Sequence, residues 1–359
     1  MKKIISILGA RPQFIKAAVM SRIIREKNEI EELIVHTGQH YDANMSDIFF
    51  SEMEIPAPSY NLAVHGLQHG AMTGQMLEKI EKVLIEESPD LVLVYGDTNS
   101  TLAGALAAKK LGIRVAHIEA GLRSYNMNMP EEVNRILTDR ISDLLLCPTP
   151  EAVANLRSEG FESFDSKIVL SGDIMKESVA FYGRLSAAKS TILKELGLMN
   201  KPFVLATIHR QENTSDLHRL KSILKGLNTI SKDCLVVLPV HPRTRAVLET
   251  NKLEFEGLLV DPVGYYDMLE FLKHCSVVVT DSGGLQKEAF FNKKPCVIIR
   301  DETEWVELVT CGYAKLVGSD AEKIKRAYLD FIEEPPVYDK HIYGENVGET
   351  IYKEIKNLM

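Results

Sequence analysis

The stretch Val277-Val278-Val279-Thr280-Asp281-Ser282-Gly283-Gly284-Leu285-Gln286-Lys287-Glu288 holds the residue types from which an anion cradle is built. A β-branched run reads as a buried strand. Asp-Ser then reads as a helix N-cap pair, followed by two glycines and a helical pattern. Glycines let backbone N–H groups approach a ligand closely. A helix N-terminus adds free donors and about half a positive charge. Ser282 adds a hydroxyl donor, and Glu288, one turn on, an acceptor for sugar hydroxyls. Ser282, Gly283 and Gly284 thus read as a diphosphate cradle, with Glu288 as a ribose clamp. An ordinary strand-to-helix turn explains the same letters, because Gly-Gly after a strand is common.

Other polar residues also follow apolar runs: Arg11, Asp97, Glu119, His209, Arg210, His241 and Arg300. The C-terminal ends of strands are the ligand-facing edge of an open α/β sheet. Each residue alone has a structural alternative. Asp97 can cap the next helix. Glu119 can pair with Arg123, and Glu131 suits a helix first turn. His209 can be a satisfied edge histidine, and His241, beside Pro242, a supporting residue. Together, three carboxylates (Asp97, Glu119 and Glu131) and His209 facing a phosphate cradle are poorly explained by structure alone.

Alternating elements must position these groups. Strands are expected at Ile4 to Leu8, Leu33 to Thr37, Leu91 to Tyr95, Val115 to Ile118 and Leu144 to Cys147. Helices are expected over Phe14 to Glu26, from about Ser46, and over Gln75 to Glu87 and Leu102 to Leu111, with another opening at Pro130. Ile168 to Gly172 closes this half, and a polar helix from about Lys176 to Leu196 bridges to a second series. That series has strands at Phe203 to Thr207, Leu235 to Leu238, Leu258 to Val260, Val277 to Thr280 and Cys296 to Ile299. Its helices span Asp216 to Ile230, Tyr265 to His274 and Leu285 to Phe291, and a last helix covers Glu349 to Leu358. The pattern predicts an α/β protein of two Rossmann-like doubly wound domains, 1–172 and 173–342, facing a central cleft.

The totals fit that expectation. The 359 residues suffice for two domains, and 45% hydrophobic with 26% charged residues is a globular balance. A net charge of -8 argues against nucleic acid or an anionic membrane as partner. The five scattered cysteines, with no C-x-x-C pair, read as reduced thiols of a cytoplasmic protein. The apolar run after Lys2-Lys3 is too short for a signal segment, and no run is long enough to span a membrane. No G-x-G-x-x-G follows the first strand, and no P-loop or H-E-x-x-H spacing occurs, so neither NAD, a nucleoside triphosphate nor a metal is implied. The chemistry expected is that of side chains, without a cofactor, on a diphosphate-bearing substrate.

Seven motifs, in order, then carry a resemblance: Gly9-Ala10-Arg11-Pro12-Gln13-Phe14-Ile15-Lys16, Thr37-Gly38-Gln39-His40, Gly96-Asp97-Thr98, Glu119-Ala120-Gly121-Leu122-Arg123, Pro130-Glu131-Glu132-Val133-Asn134-Arg135, His209-Arg210-Gln211-Glu212-Asn213 and Thr280 to Glu288. Over essentially its whole length the chain resembles the non-hydrolysing UDP-N-acetylglucosamine 2-epimerases. The resemblance implies the GT-B arrangement, a C-terminal helix (343–359) packing back on the first domain, and a homodimer. It implies elimination of UDP across C1–C2 to a 2-acetamidoglucal, then re-addition with a proton on the opposite face of C2. It makes Asp97, Glu119 and Glu131 the acid/base and positioning carboxylates, and gives His209 the departing phosphate. Arg11, Lys16, Arg135, Ser282, Gly283 and Gly284 would hold the UDP-sugar, with Glu288 on the ribose.

Two stretches depart from the commoner family pattern. Thr303-Glu304-Trp305-Val306-Glu307 lacks the Arg-Pro that often follows Thr-Glu, and Ala10-Arg11-Pro12-Gln13-Phe14 replaces a commoner Thr-Arg-Pro-Glu. Both look like the subgroup acting on UDP-2,3-diacetamido-2,3-dideoxyglucuronic acid. Some relatives are activated by substrate beside the loop matching Gln39-His40. The alternatives are a GT-B glycosyltransferase using a UDP-sugar donor, a hydrolysing epimerase, and a UDP-sugar-binding protein without turnover.

Overall fold

Among the described residues, thirteen strands alternate with helices, and every strand pairing is parallel. The computed structural model describes residues 1–39, 55–240 and 242–359. His40, the helix expected from about Ser46, and His241 lie outside the described residues.

The chain divides into two compact units, 1–178 with 341–359, and 179–340. The first unit has strands β1 Lys2–Leu8, β2 Ile30–His36, β3 Tyr60–Asn61, β4 Leu91–Tyr95, β5 Arg114–Ile118, β6 Leu144–Cys147 and β7 Lys167–Leu170. Their order is β3-β2-β1-β4-β5-β6-β7. The second unit has β8 Phe203–Thr207, β9 Leu235–Pro239, β10 Leu258–Val260, β11 Val277–Thr280, β12 Cys296–Ile298 and β13 Ala314–Leu316, in the order β10-β9-β8-β11-β12-β13. Each is a doubly wound Rossmann-like sheet. The chain winds outward on one side of the first strand, then returns to its other side. That reversal opens a crevice between β1 and β4, and another between β8 and β11, at the strands' C-terminal ends.

The central strands are buried on both faces, as a parallel sheet under helices requires. All five residues of Leu91–Tyr95 and all four of Val277–Thr280 are buried. One core gathers Ile5, Ile7, Val92 and Val94 with Ile80, Val83 and Ala107. The other gathers Val204, Ala206, Val277 and Val279 with Leu220, Leu227, Ile324 and Phe331.

The C-terminal helix Val347–Leu358 packs on the first unit. Tyr352 Oη and Lys356 Nζ both reach Glu29 Oε2, at 2.9 and 2.8 Å. Lys176 Nζ donates to Gly344 O at 2.6 Å just before it. The helix expected from Lys176 to Leu196 is instead two, Met175–Lys189 and Ile192–Glu195. The break falls at Ser190, whose hydroxyl accepts from Ile192 N (3.3 Å) and donates to Asp267 Oδ1 (2.6 Å). A local hydroxyl bond of this kind competes with helix continuation.

Candidate active site

In the first unit the polar groups converge where β1, β4 and β5 end. Pro12 opens the helix Arg11–Lys27 from its first turn, and no acid stands there. Lys16, one turn on, is 4% exposed, and its Nζ lies 2.5 Å from Glu119 Oε1. Glu119 has φ 75°, a left-handed conformation rare outside glycine and costing about 1–3 kcal/mol. Both Glu119 N and Ala120 N donate to Leu146 O at 3.1 Å, which holds that turn. The strain aims the Glu119 carboxylate back over the crevice at Lys16. The alternative pairing of Glu119 with Arg123 does not occur, because Arg123 is turned away to Asp139 and Glu159, both at 2.7 Å.

Asp97 follows β4 and Gly96. Gly96 is at φ +63°, and a Cβ there would sit 3.3 Å from Glu119 Oε1 and 3.4 Å from Lys16 Nζ. Both conformation and crowding thus call for glycine. Asp97 is not the helix cap. The N-cap of Asn99–Lys110 is Thr98, whose side chain accepts from Thr101 N. The Asp97 carboxylate is left for Arg135, whose Nε stands 3.5 Å from Oδ2. Burial pushes the Asp97 pKa up; Arg135 and Lys16 oppose that rise, while Glu119 and Glu131 reinforce it. Its side chain keeps 32% of its surface open, so a ligand can reach it. Glu131, half-buried in the first turn of Pro130–Ile141, completes the group.

Two residues behind this cluster stand in the sequence motifs but carry no assigned role there. Gln13 is 1% exposed and makes four bonds: its Oε1 accepts from Gly9 N (2.8 Å) and Ala10 N (3.0 Å). Its Nε2 donates to Tyr95 O (2.8 Å) and Thr101 Oγ1 (2.9 Å), tying the turn after β1 to that after β4. Glu132, fully buried, accepts from Ser124 N (3.0 Å) and Tyr125 N (2.8 Å) and lies 3.3 Å from Arg135 Nη1. It fixes Arg135, which in turn fixes Asp97. Arg11 is half-buried at the same edge.

In the second unit the groups gather where β8 and β11 end. Ser282 is the N-cap of Gly283–Phe291, accepting from Leu285 N at 3.3 Å. Asp281 does not share the capping. Fully buried, it accepts from His209 N (3.1 Å), Arg210 N (3.0 Å) and Asn213 Nδ2 (3.1 Å), and lies 2.9 Å from His209 Nδ1. Burial alone would raise its pKa, but the His209 charge and these bonds outweigh that and lower it. The His209 side chain is 47% exposed, and the Nδ1 contact to Asp281 leaves Nε2 as its other ring nitrogen. A Cβ on Gly283 would fall 2.2 Å from Glu304 Oε1, whereas on Gly284 it would meet only Ser282 Oγ at 4.0 Å. Glu304 is held in turn by Arg300 Nη1 at 3.0 Å. Lys287 Nζ lies 3.9 Å over the Trp305 ring, and both are buried. The Thr-Glu-Trp departure therefore lines the back of the glycine turn. Glu288 is buried one turn further along the same helix.

Among the described residues, no three His, Cys, Asp or Glu side chains are grouped to hold a metal ion. No helix among them is long and apolar enough to cross a membrane.

A model of the family described as UDP-N-acetylglucosamine 2-epimerase matches residues 22–356. The chain belongs to that family. It is therefore an isomerase that epimerises at C2. The chain is 54% identical to the UDP-2,3-diacetamido-2,3-dideoxy-D-glucuronate 2-epimerase of Pseudomonas aeruginosa, over 95% of this chain and 96% of that one. It is 43% identical to a UDP-N-acetylglucosamine 2-epimerase of Methanococcus maripaludis, over 98% and 97%. A crystal structure of the Methanocaldococcus jannaschii UDP-GlcNAc 2-epimerase, in complex with UDP-GlcNAc and UDP, superposes with a TM-score of 0.91 at 40% identity, covering 99% of each chain.

Proposed function

We propose that this epimerase acts on UDP-2,3-diacetamido-2,3-dideoxyglucuronate rather than on UDP-N-acetylglucosamine. The observation that carries this is 54% identity to a relative named for the diacetamido uronate, against 47% and 43% to two named as a UDP-N-acetylglucosamine 2-epimerase homolog and a UDP-N-acetylglucosamine 2-epimerase. The Trp305 variant against the glycine turn supports it.

The reaction proposed is elimination and re-addition. A carboxylate takes the C2 proton. The C–H electrons form the C1=C2 bond, and the C1–O bond breaks with its electron pair leaving on UDP. A proton then reaches C2 from the opposite face, and UDP oxygen re-forms the bond to C1. Asp97 suits the proton transfer, because its raised proton affinity brings it nearer working pH. Glu119, held against Lys16, and Glu131 position the sugar and relay the second proton. His209, with Nδ1 on Asp281, offers Nε2 to the departing phosphate oxygen. Arg11, Lys16, Arg135 and the Ser282-Gly283-Gly284 amides hold the nucleotide sugar, and Glu288 its ribose. No cofactor takes part in this scheme. A cytoplasmic homodimer belongs to the same reading, and light scattering checks the dimer.

Parallel assays of the two nucleotide sugars test the substrate. The expected result is a kcat/KM at least ~100-fold higher for the diacetamido uronate, a discrimination of about 2.7 kcal/mol. Equal or greater turnover of UDP-N-acetylglucosamine would overturn the assignment.

A further inference from the structure

We propose that His117 is a buried imidazolium that holds the Gly96–Asp97 turn, and with it the Asp97 carboxylate, in working position. The inference rests on the reading of Asp97 as the group that moves the C2 proton.

His117 lies on β5, flanked by Val94 of β4 and Leu145 of β6, and is 0% exposed. Its Nε2 stands 2.7 Å from Gly96 O. A carbonyl has no proton to give, so Nε2 carries the hydrogen. Its Nδ1 stands 2.7 Å from Asp139 Oδ1. The other Asp139 oxygen accepts from Arg123 Nη1 (2.7 Å) and Gly121 N (3.1 Å), the partners of an ionised carboxylate. Nδ1 therefore carries a hydrogen too, and a ring with both nitrogens protonated is a cation.

Arg123 is bound bidentately by Glu159, at 2.7 and 2.8 Å. Cys147 of β6 and Tyr125 also face the cluster, and burial pushes the pKa of each up, which keeps both neutral. Glu159 is exposed, so Asp139 is the buried carboxylate shared by Arg123 and His117.

The Gly96 carbonyl is one of a set of staples on the turn. Gly96 N donates to Ile118 O at 2.9 Å, and Asn134 Nδ2 donates to Asp97 O at 2.9 Å. The left-handed turn at Gly96 is thus fixed from both sides, and the His117 bond is the charge-assisted one. His117 is a positioning residue: it acts through the backbone and not on the substrate.

The ring nitrogens of the full-length enzyme, labelled with 15N-histidine, are read by long-range 1H–15N correlation. The His117 signals are assigned by their loss in His117→Gln. The expected result is two protonated ring nitrogens at neutral pH. A singly protonated tautomer would overturn the charge assignment, whatever the variants do. Kinetics test the positioning. His117→Gln keeps a donor near the Nε2 position, and His117→Asn does not. We expect kcat to fall by less than 10-fold in the first and ~100-fold in the second, with KM and UDP affinity held within a few-fold. Equal kcat losses in the two variants, tracking their loss of Tm, would reduce His117 to a stability role. Full turnover by Asp97→Asn would refute the Asp97 reading separately, without touching the His117 spectrum.

Discussion

Lys16 Nζ stands 2.5 Å from Glu119 Oε1, with the two side chains only 5% and 10% exposed. The pair joins the helix after β1 to the turn after β5. Removing one partner leaves the other charge buried and uncompensated. Lys16→Met and Glu119→Gln should each destabilise by about 3 kcal/mol, and the double variant by clearly less than the sum. Urea denaturation measures all three. Additivity within ~0.5 kcal/mol would show that the two groups do not act as a pair.

Asp97→Asn should abolish turnover while UDP affinity by calorimetry changes only a few-fold. The pH dependence has a definite sign. The folded-state pKa of Asp97 is raised, so its ionisation costs stability as pH rises from the unfolded value of about 3.9 through the folded one. The Tm of Asp97→Asn should therefore gain on wild type as pH climbs through that window. In the wild type, the acid limb of kcat/KM should fall above the ordinary aspartate range. An Asp97→Asn enzyme with near-normal turnover contradicts its role.

The Asp281–His209 pair makes the opposite prediction. The Asp281 pKa is lowered, so its contribution is present above about pH 3.9 and is lost as pH falls through the folded value. Asp281→Asn should cost about 2–3 kcal/mol near neutrality, with the gap to wild type closing in acid. Since His209 then loses the group orienting its ring, kcat should drop by about 10²-fold. Thermal melts across pH, with kinetics at one pH, check both. A gap that widens in acid would refute the linkage.

Gly283→Ala should weaken UDP binding by at least ~10-fold. The new methyl would meet Glu304 Oε1 at 2.2 Å, and Glu304 cannot swing away without leaving Arg300. Gly284→Ala meets no such neighbour within 4 Å beyond Ser282 Oγ, so any loss it shows comes from the ligand side. Calorimetry with UDP separates the two. Unchanged affinity in Gly283→Ala would remove the turn from the binding site.

Much of the fold is legible because parallel strands buried on both faces leave unbroken apolar runs. Leu91–Tyr95, Phe203–Thr207 and Val277–Thr280 fall where their letters put them. Helix starts are harder to read. His69–Glu87 begins six residues before Gln75, because its first turns are exposed and glycine-containing, with no apolar stripe. Nothing after Ile299 announces the short strand Ala314–Leu316. The site shows the same division. Asp97, Glu119, His209 and Ser282 stand out because they follow strands. The bond of Asp281 to His209 spans 72 residues, and only the pairing of β8 with β11 brings them together. His117 is hidden inside a strand whose other letters are apolar or basic.

The most direct test of the elimination mechanism is proton NMR of UDP-2,3-diacetamido-2,3-dideoxyglucuronate incubated with the enzyme in D2O. The account predicts deuterium at C2 in both epimers, with UDP conserved in the nucleotide sugar. Epimerisation that retains the C2 hydrogen, or no exchange with this substrate and none with UDP-N-acetylglucosamine, would contradict it.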